Sequence, residues 1–166
     1  MSGPPRHLSP MSRGGIEIGE DDLSGEEARA LVTLHLQGMS AHSPAGHVFA
    51  LGLAALQAPE VTVWTARIGG TLAGMAALKA LGAGLGEIKS MRTHPAHLRT
   101  GVAAALLARI LAEARARGYA RLSLETGSGD AFEPALALYR RNGFKNGPAF
   151  ADYSPSAFNQ FLHLDL

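Results

Sequence analysis

At 166 residues the chain is sized for one domain that buries roughly 70% of its unfolded surface. Hydrophobic residues make up 46% against 17% charged, and the net charge is +1, which excludes a chain disordered by composition and a strongly basic nucleic-acid binder. The absence of Cys excludes a disulfide framework, a cysteine nucleophile and a thiolate zinc site.

Residues 1–15, with Gly3, Pro4, Pro5, Pro10, Gly14 and Gly15, carry little that could pack and predict a loose extension ahead of a single domain over 16–166. Ile16-Glu17-Ile18 alternates as a short strand. Ser24-Gly25-Glu26-Glu27 has the spacing of a capping box, opening a helix that buries Ala28, Leu31, Val32 and Met39. Ser43-Pro44 starts a second helix, with Val48, Leu51 and Ala55 at turn spacing, and Pro59 stops it.

Val61 to Ile68 is rich in β-branched and aromatic residues, and Gly69-Gly70 marks a hairpin into Thr71 to Leu78. Gly82, Gly84 and Gly86 punctuate the way to a third strand ending at Thr93. Val102, Leu106, Ile110 and Ala114 recur at helical spacing up to Gly118, and Arg121 to Glu125 alternates as a strand parallel to the one before the helix. A helix over Pro134 to Arg141 stops at Asn142-Gly143, Phe144 begins another strand, and residues 158–166 close the chain as the last one. The order β-α-α-β-β-β-α-β-α-β-β predicts an α/β (α+β) fold: a mixed, mostly antiparallel sheet of six to seven strands with about four helices.

The seven His show no His-x-x-x-His with a helical Glu, which disfavours a metal enzyme. Neither a membrane-length apolar run nor a charged-then-apolar leader is seen, so a cytoplasmic protein with no nucleic-acid or membrane partner is expected.

The chemistry centres on His94 to Ala105, where a strand hands over to a helix. The first N–H groups of a helix lack internal partners and lie at its positive end, Gly101 has no Cβ to hold an anion away, and Arg99 is within reach of the same spot. The stretch is neither a dinucleotide fingerprint nor a P-loop, and alone it fits an ordinary turn equally well. With Pro95, Leu98, Arg99, Gly101 and Ala103 followed by Ala135-Leu136-Ala137-Leu138-Tyr139-Arg140-Arg141-Asn142-Gly143-Phe144, however, the chain resembles the GNAT superfamily of N-acetyltransferases. Its hallmarks are Pro-x-x-Gln/Arg-x-x-Gly-x-Gly/Ala and Ala-x-x-Leu-Tyr-x-x-x-Gly-Phe. The likeness runs from Ile16 to the end and is densest between Glu87 and Phe144. Leu98 stands where the superfamily has Gln or Arg, with Arg99 one place later, and Phe132 stands where many members have Asn.

The resemblance implies acetyl-CoA as co-substrate and two central parallel strands that splay apart. It implies that the turn comprising Leu98, Arg99, Thr100, Gly101, Val102 and Ala103 holds the pyrophosphate. The main chain of Met91, Arg92 and Thr93 would pair with the pantetheine arm, with Phe132 beside it and the Met91 N–H aimed at the thioester oxygen. Tyr139 falls on the residue that donates to the departing sulfur, and Glu87 on a strand that often carries the base. By the two-residue strand period Glu87 shares a face with Lys89 and Met91, so a surface Glu87–Lys89 pair is the alternative reading.

Glu125 ends its strand facing the presumed cleft, either as an acceptor-amine ligand or as an exposed strand-end carboxylate, and Phe150 to Tyr153 is placed along the same cleft. The link between the first two helices, with His42, Ser43 and His47, is where relatives build the acceptor site. With no Cys and no Ser placed as a nucleophile elbow, direct transfer to a primary amine of a small molecule is expected. Dimers are frequent in the superfamily, which leaves a homodimer open. The alternative function is a coenzyme A-binding sensor or a catalytically silent subunit of the same fold.

Overall fold

A strand must satisfy its backbone on both sides and bury the face its apolar residues line, and seven segments of this chain do so in one sheet. The structure, a computed structural model, describes residues 15–42 and 52–166, with side chains from 38 to 42 left aside. The extension over 1–14, the start of the second helix, Ser43 and His47 lie outside these residues, as do the side chains of His42 and Met39. In chain order come β1 (Ile16–Glu20), α1 (Glu26–His42), α2 (Leu53–Leu56), β2 (Val61–Ile68), β3 (Thr71–Gly82), β4 (Leu85–Thr93), α3 (Val102–Ala116), β5 (Arg121–Thr126), α4 (Glu133–Arg141), β6 (Lys145–Gly147) and β7 (Gln160–Asp165). The sheet order is β1-β2-β3-β4-β5-β7-β6, and β4–β5 is the one parallel pair among the described strands. This is the mixed, mostly antiparallel architecture expected.

Two apolar layers sandwich the sheet. On one face Trp64, Ala73, Ala76, Leu78, Ile88, Leu122 and Leu124 pack with Val102, Leu106 and Ile110 of α3 and Leu136 and Tyr139 of α4. On the other, Val63, Leu72, Met75 and Ala77 meet Ala28, Leu31 and Val32 of α1 and Leu56 of α2. Gly74 allows α3 to lie close, since a Cβ there would stand 2.6 Å from Val102 Cγ1 and 2.9 Å from the Arg92 carbonyl oxygen. The Gly69-Gly70 hairpin forms with both glycines at positive φ, 58° and 83°.

The capping box does not form. Gly25 precedes α1 and its carbonyl accepts the Arg29 N–H at 3.1 Å, while the Ser24 hydroxyl donates to Asp22 Oδ1. Glu27 instead reaches the β2–β3 hairpin, accepting from Arg67 at 3.2 Å and from the Leu72 N–H at 3.4 Å. A tertiary partner out-competes the local one because the hairpin lies beside the first turn of the helix. Among the described residues no helix is long and apolar enough to cross a membrane.

Candidate active site

β4 and β5 pair through Leu85–Arg121, Gly86–Leu122 and Glu87–Ser123, and there the ladder stops. Beyond that rung β4 runs on to Thr93 beside β3, while β5 stays paired with β7 through Leu124–Leu162, Glu125–Phe161 and Thr126–Gln160. The two strands therefore fork, and among the described residues the edge of β4 from Ile88 onward has no strand on its β5 side.

At the same level β4 bulges. Ala77 pairs with Lys89 but Met75 with Arg92, so Ser90 and Met91 together oppose Ala76, and Ser90 takes a positive φ of 56°. The extra residue reverses the alternation. Met91 turns to the α3 side and joins the core there, whereas Glu87 and Lys89 stay on the α1 side. The face-sharing of Glu87, Lys89 and Met91 expected from the strand period is thus corrected for Met91. Arg92 takes the α1 side with its partner Met75, and Thr93 pairs with Gly74 on the α3 side. The Ser90 hydroxyl is buried at this bend with no hydrogen-bond partner among the described residues.

Past Thr93 the chain makes a short 3₁₀ turn over Pro95–His97, capped by His94 Nδ1 accepting from the Ala96 N–H at 3.1 Å. The Thr100 hydroxyl donates to the His97 carbonyl, Arg99 takes φ 62°, and Gly101 takes φ 86° as the residue ahead of α3. Among the described residues no side chain caps α3, and no acidic residue occupies its first turn. The first N–H groups of the helix, on Val102, Ala103 and Ala104, have no partner within it, and Arg99 and Leu98 are exposed beside them. Space is available too, since the nearest atom to a Cβ built on Gly101 is Ile16 Cδ1, 4.0 Å away. The Val102 side chain itself is buried against Gly74.

Tyr139 lies on α4 with its ring against Phe144, centroids 5.6 Å apart, and it is 5% exposed. Burial pushes its phenol well above the ordinary range, so it stays protonated at neutral pH. Phe132 packs edge-on to Phe158 at 5.5 Å, the two rings closing over Gly127, where a Cβ would meet them at 2.5 and 2.6 Å.

On the opposite face a polar cluster sits under the fork. Glu87 is 2% exposed, and its Oε2 accepts from Lys89 Nζ at 3.1 Å and from the Tyr153 hydroxyl at 2.5 Å. Lys89 Nζ also donates to the Tyr153 oxygen at 2.6 Å. Of the two readings of Glu87, the structure contains the ion pair with Lys89, but buried instead of on the surface. Burial and the bond to Glu87 hold the Tyr153 phenol far above its usual range. Tyr153 is in turn packed by Phe150 and Phe161, at 5.2 and 5.9 Å, and Ala151, Asp152 and Tyr153 line a pocket together with Glu87 and Lys89.

Glu125, two residues past the last β4–β5 rung, is half-buried on this same face, not an exposed strand end. Burial raises its carboxyl to about 7, against the pull of the Asn159 side chain and Lys89, with Glu87 adding to the rise. His35 of α1 escaped the sequence reading. It is 6% exposed, its Nδ1 has no hydrogen-bond partner among the described residues, and burial together with the Arg92 guanidinium lowers its imidazole to about 4. Its spacing from Leu31 and Val32, on the buried stripe of α1, was the available signal.

Residues 29–144 match the family model described as the acetyltransferase (GNAT) family. The chain belongs to this family. An uncharacterized N-acetyltransferase of Bacillus subtilis (strain 168), YsnE, is 50% identical to this acetyltransferase over 147 residues, covering 89% of the chain and 97% of the relative. The IAA acetyltransferase of Azospirillum brasilense is 36% identical over 124 residues, 74% of this chain and 80% of the relative. Among solved structures, a candidate acyl-CoA N-acyltransferase from Klebsiella pneumoniae subsp. pneumoniae MGH 78578 superposes with a TM-score of 0.74 at 28% identity, covering 91% of this chain and 97% of that one. Acetyl-CoA is the co-substrate that the fold of this N-acetyltransferase implies.

Proposed function

We propose that this N-acetyltransferase moves the acetyl group of acetyl-CoA directly to a primary amine of a small molecule. The observation that carries the reading is the fork between β4 and β5, opening beside a helix start whose N–H groups are left uncapped. A diphosphate fits at Val102, Ala103 and Ala104, with Arg99 supplying charge and Leu98, Thr100 and Gly101 shaping the turn. The unpaired edge of β4 at Met91, Arg92 and Thr93 offers backbone to an amide-containing arm laid into the fork as a strand is added to a sheet. Phe132 supplies an apolar wall where many relatives carry Asn.

In this reading Tyr139 is the acid. Its phenol, held protonated by burial, gives its proton to the sulfur as the C–S bond breaks and is reprotonated from the amine nitrogen that has formed the new C–N bond. The Met91 N–H faces the carbonyl oxygen and stabilises the charge that builds on it. Glu87, locked between Lys89 and Tyr153, holds the acceptor face in place. The Lys89 ammonium and the Tyr153 hydroxyl are thereby both committed to one carboxylate.

Calorimetry with coenzyme A and acetyl-CoA, followed by thiol release over a panel of primary amines, tests the reading. Heat with both ligands and thiol release with at least one amine is the expected result. Heat without turnover on any amine points to a coenzyme A sensor, and no heat removes the proposal.

A further inference from the structure

Arg67, Arg92, Arg109 and Arg121 are all half-buried, and all but Arg92 hold a carboxylate. Arg67 pairs with Glu27 at 3.2 Å, Arg109 with Glu113 at 3.2 Å and Arg121 with Asp165 at 2.7 Å. Among the described residues Arg92 has neither an ion-pair partner nor a side-chain hydrogen bond. It takes the α1 side of β4 just beyond the bulge, paired with Met75, which packs in one layer with Leu31 and Val32 of α1. His35 follows one turn along the same stripe of that helix, near enough for the Arg92 charge to act on its imidazole, and its buried Nδ1 has no hydrogen-bond partner among the described residues. Lys89 and Glu87 are the charged groups that act on Glu125, and Arg92 is not one of them. A half-buried guanidinium without a counter-ion is costly unless a ligand brings one.

Resting on the acetyltransferase reading, we propose that the Arg92 guanidinium, beside His35, binds a carboxylate carried by the acceptor, so that the substrate is a small molecule with an amine and a carboxylate a short chain apart. The guanidinium presents parallel N–H donors that match the two oxygens of a carboxylate. Arg92 directly follows Met91 on β4, so an acid held by its side chain keeps a short acceptor at the mouth of the fork. The carboxylate takes no part in the bond changes. Arg92 selects the acceptor and orients its amine.

Charge selects among the oxyanions that a guanidinium can hold. Burial first, and then Arg92 itself, lower the His35 imidazole to about 4, so His35 is neutral at pH 7 and adds no charge to that of Arg92. The Lys89 ammonium is already committed to Glu87. One guanidinium balances one carboxylate. A phosphate monoester, with about −1.5 to −2 charges at pH 7, would leave its excess on the same side of the sheet as Glu87 and Glu125.

The test compares glycine, alanine, leucine, phenylalanine, β-alanine and 4-aminobutyrate each with its primary amide, which keeps the amine and the shape but loses the charge. With the full chain and coenzyme A present, calorimetry should show at least one acid bound about 10- to 10²-fold more tightly than its amide, the range of hydrogen bonds to a charged group. Thiol release from acetyl-CoA should show the same preference in kcat/KM. In Arg92→Met the acid-to-amide ratio should fall to about one, mainly through KM. In Arg92→Lys, which serves should the first variant not fold, the ratio should lie between, because the charge stays and the planar fork is lost. Amides bound as tightly as their acids, or a ratio untouched in the Arg92 variant that folds, overturn the proposal. Phosphoethanolamine bound more tightly than β-alanine overturns it in favour of a phosphate, and an Arg92→Met protein that loses acetyl-CoA affinity as steeply as acid affinity overturns it by making Arg92 a cofactor ligand. A parent protein that binds no acetyl-CoA, or that releases no thiol with any acceptor, overturns the acetyltransferase reading instead, and the calorimetric comparison of acids with amides is read independently of it.

Discussion

The β4–β5 pair is closed at one end and open at the other, and the two ends are built from different residues. At the closed end Gly86 is buried under the Tyr119 ring, whose carbons would lie 2.8 Å from a Cβ there, and the Ala120 N–H donates to the Gly84 carbonyl at 2.7 Å. At the open end the ladder gives way to a bulge at Ser90 and to the cluster of Glu87, Lys89, Tyr153 and Glu125. Backbone pairing and close packing hold the fork rigid from behind, so the front can leave strand edge unpaired and carry buried charge. An edge with unpaired backbone and buried charge contributes less to the stability of the sheet than a paired and closely packed one.

Substitutions at the two ends should separate these roles. The largest effect is expected at the front. Tyr139→Phe keeps the ring against Phe144 but removes the proton, so turnover should fall roughly 10²–10⁴-fold while acetyl-CoA affinity by calorimetry stays nearly intact. Unchanged turnover would make Tyr139 a packing residue only.

Next comes Lys89→Met, which strands the Glu87 carboxylate, its side chain 3% exposed, without its ammonium. A loss of about 3–5 kcal/mol in urea unfolding is expected, with much of it recovered when Glu87→Leu is added. A loss no larger than that of a surface pair would show that the cluster is solvated.

His35 lies below this in size. Its imidazole binds a proton in the folded state only near pH 4, whereas the unfolded chain binds one below about 6.5. The unfolded state thus holds more protons between these values. The stability associated with neutral His35 is complete above pH 6.5 and is lost as pH falls toward 4, by roughly 3 kcal/mol at most. His35→Leu should flatten urea midpoints across that window, and an unaltered slope would mean that other groups govern it.

The smallest effect belongs to the closed end. Gly86→Ala forces the half-buried Tyr119 ring to move and should cost about 1–3 kcal/mol of stability with acetyl-CoA affinity unchanged. A loss of acetyl-CoA binding in that variant would break the separation between the two ends.

Much of the architecture was legible from residue order. The β-branched runs, the Gly69-Gly70 hairpin, the α3 stripe and the stop at Gly118 each act within a few residues, and each is found. The turn ahead of α3 was legible for the same reason, because Gly101 sets the local backbone. Two local readings failed where distant partners intervened. Glu27 reached a hairpin some 40 residues along the chain instead of the start of its own helix, and Met91 crossed to the other face because Ser90 inserts a bulge that a two-residue period cannot anticipate.

The candidate site divides along the same line. Glu87, Tyr139 and Glu125 were visible as residues, but neither the hydrogen bond from Tyr153, 66 positions away from Glu87, nor the burial of Glu125 has any local signature. The amino-acid order by itself determined which segments become strands and helices and where the turn ahead of α3 falls, since short-range sterics decide those. The tertiary structure alone decided which carboxylate is paired with an ammonium and which is half-buried apart from one, because charge pairing and desolvation depend on neighbours brought together only when the sheet closes.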